Sequence, residues 1–120
     1  MSKKTLVIGA SEKPERYSNK AIKALRHHGH QVVALGARPG RVGDIAFDSE
    51  KKNFSGIDTV TLYIGPQNQP DFYDYVTGID PRRVIFNPGT ENKAFADQLK
   101  AKGIETEEAC TLVLLSIGAY

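Results

Sequence analysis

Short apolar runs separated by polar, glycine-rich loops recur along the chain. The first run, Thr5–Ile8, is continuous and closes at Gly9, as expected for a strand buried on both faces of a sheet. Similar runs predict strands at Gln31–Leu35, Thr59–Ile64, Arg83–Phe86 and Ile104–Ala109, with a short edge strand at Ile45–Phe47. The pattern therefore predicts a sheet of five to six strands.

Helical periodicity occupies several of the segments between these runs. Ile22 and Leu25 form an apolar stripe, and Ser18 is the expected N-cap of a helix that ends near His28. Further helices are predicted at about 72–79 and 90–102, and a terminal helix at 110–120. The alternation of strand and helix predicts one α/β domain over residues 1–120. We expect a doubly wound, mainly parallel sheet with helices on both faces, in three αβα layers.

Composition adds little to this picture, whereas the distribution of charge adds a clue. Forty per cent hydrophobic and 25% charged residues are ordinary globular values, and the net charge of +2 is too small for general nucleic-acid binding. Residues 1–52 contain eleven Lys/Arg and five Asp/Glu (+6), whereas residues 53–120 contain five and nine (−4). This asymmetry favours a local anionic ligand over an extended basic surface.

The cysteine content and the short apolar runs bear on four features: disulfides, metal sites, secretion signals and membrane spans. A single cysteine, Cys110, excludes an internal disulfide and a cysteine-rich zinc site, and no metal is expected. The apolar run before Ser11 is too short for a signal peptide, and Leu112–Leu115 is far too short to span a membrane. We expect a cytoplasmic protein without membrane contact, and the apolar tail leaves a homodimer or another protein partner open.

The loop Gly9–Ser18 contains groups that suit a phosphate. Gly9 allows a sharp turn, the helix that follows offers its positive end, and Arg16 supplies charge-assisted hydrogen bonds. The dinucleotide motif G-x-G-x-x-G is not present. Taken alone, the loop fits a phosphate site and a simple polar turn about equally well.

The end of the second predicted strand distinguishes between nucleotide types. An NAD site places a carboxylate there to bind the ribose diol, but this chain has Arg38 and no carboxylate before Asp44. An arginine at this position suits a phosphate on the adenosine ribose, as in NADP or coenzyme A, although a solvated basic loop is the simpler interpretation. The position favours a phosphate-bearing adenosine.

Several motifs together resemble the small stand-alone coenzyme A (CoA)-binding domain proteins, which are similar to the CoA-binding domain of the succinyl-CoA synthetase α subunit. The resemblance covers Val7–Ser11 with Pro14, Arg16 and Ser18, then Gly29–Val33 with Arg38, Asp58–Val60, Asn87–Gly89 and Cys110. It implies a Rossmann-like sheet with CoA lying across the strand ends. It also implies contacts to CoA from Gly9, Ala10, Ser11, Pro14, Arg16, Ser18, Arg38, Tyr63, Ile64, Gly65, Pro66, Asn87 and Gly89, with Asn87 and Gly89 facing the pantetheine arm.

The expected function is binding of CoA or an acyl-CoA without chemistry of the protein's own. Glu12 and Glu15 have no evident partner for acid–base work, and the ligase domains of the synthetase are absent from this sequence. Cys110 is a candidate redox thiol that would form a mixed disulfide with the CoA thiol. Two alternatives remain: an NADP-linked small oxidoreductase or redox sensor, and an interaction module that has lost its nucleotide.

Overall fold

A five-stranded parallel sheet forms the centre of the computed structural model, which describes residues 2–120. The strands are β1 (Thr5–Ala10), β2 (Val32–Gly36), β3 (Gly40–Val42), β4 (Ile45–Phe47), β5 (Thr59–Leu62), β6 (Arg83–Phe86) and β7 (Glu105–Glu108). The sheet has the order β2-β1-β5-β6-β7, and all its neighbours are parallel. Because β2 and β5 lie on opposite sides of β1, the direction of winding reverses between β1 and β5.

Helices cover both faces of this sheet. They are α1 (Tyr17–His27), α2 (Tyr73–Ile79), α3 (Lys93–Ala101) and α4 (Thr111–Ser116). α1 and α4 pack beside each other on one face, and α2 and α3 contribute to the core on the other. The predicted doubly wound αβα arrangement is confirmed. Within residues 2–120, no helix combines the length and the apolar character that crossing a membrane requires.

The interior strand β1 explains why the core has two halves. Its side chains alternate between faces, so Val7 packs with Ile22 of α1, whereas Leu6 and Ile8 pack with Phe95 of α3. These β1 side chains are at most 1% exposed, which accounts for the continuous apolar run in the sequence.

The first helix begins earlier than predicted. Arg16, not Ser18, occupies the N-cap position, and Ser18 lies inside the first turn of α1 with 3% of its surface exposed. The backbone N–H of Arg16 donates to the carbonyl of Lys13, and this tight turn leads the chain directly into the helix at Tyr17. Local turn geometry therefore overrides the capping preference of serine, and the N-cap prediction is wrong.

The third helix begins later than predicted. The side chain of Thr90 donates to the carbonyl of Asn87, which keeps residues 87–90 in a turn. Asn92 then caps the helix by accepting a hydrogen bond from the N–H of Phe95, and α3 starts at Lys93.

The expected edge strand Ile45–Phe47 forms, but it does not join the sheet. It pairs antiparallel with β3 across a two-residue turn at Gly43-Asp44, where Gly43 has a φ of +59°. The resulting hairpin covers the outer edge of β2 and is linked to it through an isolated bridge between Leu35 and Asp48. The sheet therefore has five strands rather than six.

Candidate functional site

A cleft of about 610 Å³ lies at the carboxyl ends of β2, β1 and β5. This is the place where the winding direction reverses, and open α/β sheets bind their ligands at such places. Its walls come from the loop after β1, the segment after β2, the hairpin, and the turns after β5. The lining residues are Ile8, Gly9, Ala10, Ser11, Glu12, Lys13, Arg16, Leu35, Gly36, Ala37, Arg38, Pro39, Phe47, Tyr63, Ile64, Asn68 and Phe72.

The structure brings part of the predicted site together in this cleft. The predicted residues that line it are Gly9, Ala10, Ser11, Arg16, Arg38, Tyr63 and Ile64. The predicted residues outside its lining are Pro14, Ser18, Gly65, Pro66, Asn87, Gly89 and Cys110. Gly65 and Pro66 follow β5, and Asn87 and Gly89 follow β6. These four residues lie at the same edge of the sheet as the cleft, but they do not line it.

Gly9 allows the end of β1 to pass very close to the end of β5. Its φ is +103°, and a Cβ atom at this position would lie 2.9 Å from both the carbonyl carbon and the carbonyl oxygen of Tyr63. The same crossing is fixed by a hydrogen bond of 2.8 Å from the N–H of Tyr63 to the carbonyl of Ile8. Only glycine satisfies both the dihedral angle and the close approach.

The loop after Gly9 is held by its own polar groups. The hydroxyl of Ser11 accepts a hydrogen bond from the N–H of Lys13, and the carbonyl of Ser11 accepts one from the side chain of Asn19. Asn19 is 2% exposed and belongs to α1. The sequence analysis missed this residue, because an asparagine in a helix gives no signal that it reaches back to the preceding loop.

The cleft has a positive electrostatic character. Lys13, Arg16 and Arg38 line it, against the single carboxylate of Glu12. Among the residues that the structure describes, none of these three cations forms a salt bridge, whereas Arg26, Arg82 and Arg83 elsewhere do. The adjacent α1 has no acidic residue in its first turn. The field and the free cations suit an anionic ligand.

Aromatic side chains form the remaining walls. Phe47 of β4 packs so closely against the chain that a Cβ at Gly36 would lie 2.8 Å from its ring. Burial raises the pKa of Tyr63 to about 12, so this phenol is neutral at physiological pH. Phe72 and Asn68 come from the 3₁₀ turns after β5. Phe72 falls at the start of the helix predicted at about 72–79, but it lies in a 3₁₀ turn before α2, and neither Phe47 nor Asn68 was predicted to line a site.

Asn87 lies inside the protein rather than in the cleft. Its side chain is almost fully buried and donates to the hydroxyl of Thr61 (2.6 Å) and the carbonyl of Leu62 (2.9 Å). Its Oδ1 accepts a hydrogen bond from the N–H of Thr111, the first residue of α4. The side chain thus connects β5, β6 and α4. It does not line the cleft.

Replacing Asn87 with alanine is expected to lower the free energy of unfolding by about 2–4 kcal/mol, because three buried hydrogen bonds lose their partner. Urea denaturation monitored by circular dichroism measures this loss. Asn53→Ala is the matched control: Asn53 is exposed in a loop and should change the free energy by less than about 0.5 kcal/mol. A loss below about 1 kcal/mol in Asn87→Ala would contradict the structural role.

Gln69 is a second buried amide that the sequence analysis missed. It is fully buried, and its Nε2 donates to the carbonyls of Ile64 (3.0 Å) and Thr90 (2.7 Å). Its Oε1 accepts a hydrogen bond from Asn92. This side chain therefore connects the loop after β5 with the loop after β6, next to the wall of the cleft.

The chain matches a family of known proteins and is similar to several solved structures. The model of a family described as CoA binding domain matches residues 3–116. The crystal structure of an uncharacterized protein is similar, with 44% identity, coverage of 100% of this chain and 99% of that chain, and a TM-score of 0.97. No curated protein matches the chain.

Two more distant structures share the fold. A protein from Thermus thermophilus has 19% identity and a TM-score of 0.86, covering 99% of this chain and 91% of its own. Prb, a protein redesigned for binding, has 24% identity and a TM-score of 0.87, with 99% of this chain and 86% of its own covered. At these identities the likeness concerns the fold alone.

Proposed function

The chain belongs to the CoA-binding domain family, and from this premise we propose that it binds coenzyme A or an acyl-CoA in the cleft between β1 and β5. The observation that carries the proposal is a set of three cations, Lys13, Arg16 and Arg38, which form no salt bridge within residues 2–120 and surround a cleft at the reversal of the winding. CoA carries a pyrophosphate and a ribose 3′-phosphate, so both its charge and its length fit several cations spread along one cleft.

The cations divide between the two anionic parts of the ligand. Arg38 follows β2, where a Rossmann-like sheet holds the adenosine ribose, and it would pair with the 3′-phosphate. Arg16 lies at the start of α1 beside Lys13, where the helix end favours the pyrophosphate. The apolar walls at Ile64 and Phe72 remain for less polar parts of the ligand.

The proposed role is binding without catalysis. Burial raises the pKa of the Tyr63 phenol in this cleft to about 12, so the group stays protonated and is a poor general base near pH 7. The comparisons give no support to NADP as the ligand. Cys110 occupies the N-cap position of α4, outside the cleft lining. A mixed disulfide between Cys110 and CoA, formed by attack of the thiolate on CoA disulfide with release of one CoA thiol, remains a prediction.

Thermal unfolding with CoA, 3′-dephospho-CoA, NADPH and NADH side by side tests the proposal. A ligand at a hundred times its Kd adds about 2.7 kcal/mol, which raises Tm by roughly 10 °C for a chain of this size. A rise with CoA that shrinks with 3′-dephospho-CoA is the expected result. A rise with NADPH alone would favour the oxidoreductase, and no rise with any of them would favour an interaction module that has lost its nucleotide.

A further inference from the structure

A hydrogen bond joins two walls of the cleft that are far apart in sequence. The carboxylate Oε2 of Glu12, in the loop after β1, accepts a hydrogen bond of 2.9 Å from the backbone N–H of Arg41 in β3. The absence of a side chain at Gly40 makes room for this contact, because a Cβ there would lie 2.7 Å from Cγ of Glu12. Glu12 therefore lies flat against the start of the hairpin.

This contact adds to the hairpin pairing of Gly40 with Phe47 in holding one end of the segment that carries Arg38. At the other end of the segment, the N–H of Gly36 donates to the carbonyl of Asp48 at 3.1 Å. Between these two ends, residues 37–39 are exposed and have no regular secondary structure. The course of the backbone at Arg38 is thus constrained by the hydrogen bond of Gly36, by the hairpin pairing of Gly40 and by the contact of Arg41 with Glu12.

The negative charge of Glu12 distinguishes a direct effect on an anionic ligand from an indirect one. It is the carboxylate among three cations at a site proposed for an anionic ligand, so its direct Coulomb effect on a phosphate is repulsive. Removing a negative charge should therefore tighten the binding of an anion. A loss of affinity on its removal would have to come from what Glu12 holds in place.

We infer that Glu12 is a positioning residue, which holds the segment 36–41 so that Arg38 reaches the ribose phosphate of the ligand. This inference rests on the proposed binding of CoA and adds a residue that determines selectivity for the 3′-phosphate. It predicts that Glu12 matters for CoA and hardly at all for 3′-dephospho-CoA.

Calorimetric titration of CoA and 3′-dephospho-CoA into Glu12→Ala and Glu12→Gln tests the inference. Glu12→Ala should weaken CoA roughly three- to tenfold, the size of one net hydrogen bond, and change 3′-dephospho-CoA less than about twofold. Glu12→Gln should bind CoA at least as tightly as the wild-type protein, because its amide oxygen still accepts the Arg41 N–H and its negative charge is gone. Glu15→Ala is the matched control: Glu15 is exposed in the same loop with no hydrogen bond among the described residues. It removes the same charge and should not weaken CoA.

Two further measurements separate the possible failures. Amide exchange of Arg41 in the free protein should accelerate in Glu12→Ala but not in Glu12→Gln, which tests the contact between Glu12 and Arg41 without any ligand. In an Arg38→Ala background, Glu12→Ala should have no additional effect on CoA binding. Equal weakening of both ligands, or tighter binding of CoA to Glu12→Ala, would overturn the inference. If the wild-type protein binds no CoA, the proposed function fails and this inference fails with it.

Discussion

Replacing Gly9 with alanine is expected to lower the free energy of unfolding by about 3 kcal/mol and to abolish measurable CoA binding. Alanine at a φ of +103° is strained, and its Cβ would meet the Tyr63 backbone at 2.9 Å. Relief of that contact requires β1 and β5 to move apart, and this displaces the floor of the cleft. Chemical denaturation and calorimetric titration with CoA measure the two effects.

Gly29→Ala provides the control that separates dihedral strain from crowding. Gly29 has a φ of +83°, but a Cβ there would meet no atom within 4 Å. This variant should lose only about 1 kcal/mol of stability, from backbone strain at the end of α1, and should keep its affinity for CoA. Equal losses in the two variants would show that the close approach of β1 to β5 contributes nothing.

Replacing Arg38 with alanine is expected to weaken CoA binding by about 10- to 100-fold, the value of a charge-assisted hydrogen bond to a phosphate. Affinity for 3′-dephospho-CoA should change less than about twofold, because that ligand lacks the group with which Arg38 is proposed to pair. Titration of both ligands into both proteins at one fixed salt concentration gives the coupling between the side chain and the phosphate.

A general loss of positive charge would lower the affinities for both ligands alike, and a variant that loses one positive charge away from the cleft controls for this effect. Lys23→Ala removes one positive charge from an exposed position on α1, away from the cleft lining. It should leave both affinities nearly unchanged. If Arg38→Ala lowers the affinities for CoA and 3′-dephospho-CoA by the same factor, Arg38 does not bind the 3′-phosphate.

The fold was largely predictable because its signals are local. The strands Thr5–Ala10 and Arg83–Phe86 are buried on both faces, and residues 6–8 and 84–86 within them appear as unbroken apolar runs. Arg38 was predictable as a cleft residue for a related reason: it follows the carboxyl end of a strand, and the topology alone brings such positions to one edge.

The parts of the cleft that could not be predicted depend on contacts distant in sequence. Glu12 meets Arg41 only because β3 turns back beside the first loop, and nothing in either segment encodes that pairing. Asn87 and Gln69 lie in polar loops and are expected to be exposed, yet both are buried because they satisfy backbone groups of neighbouring segments. Ser18 shows the reverse case, in which a strong local preference yields to the geometry of the preceding turn.

Both edges of the sheet have features that oppose the addition of a further strand. At one edge the hairpin of β3 and β4 shields β2. At the other edge, three of the four residues of β7 are glutamates, two of which pair with Arg82 and Arg83, and charged side chains along an edge oppose pairing with a second copy. Both devices oppose edge-to-edge aggregation of a sheet that otherwise presents unpaired backbone groups along β7. These features favour self-association through the helical faces or the loops over extension of the sheet.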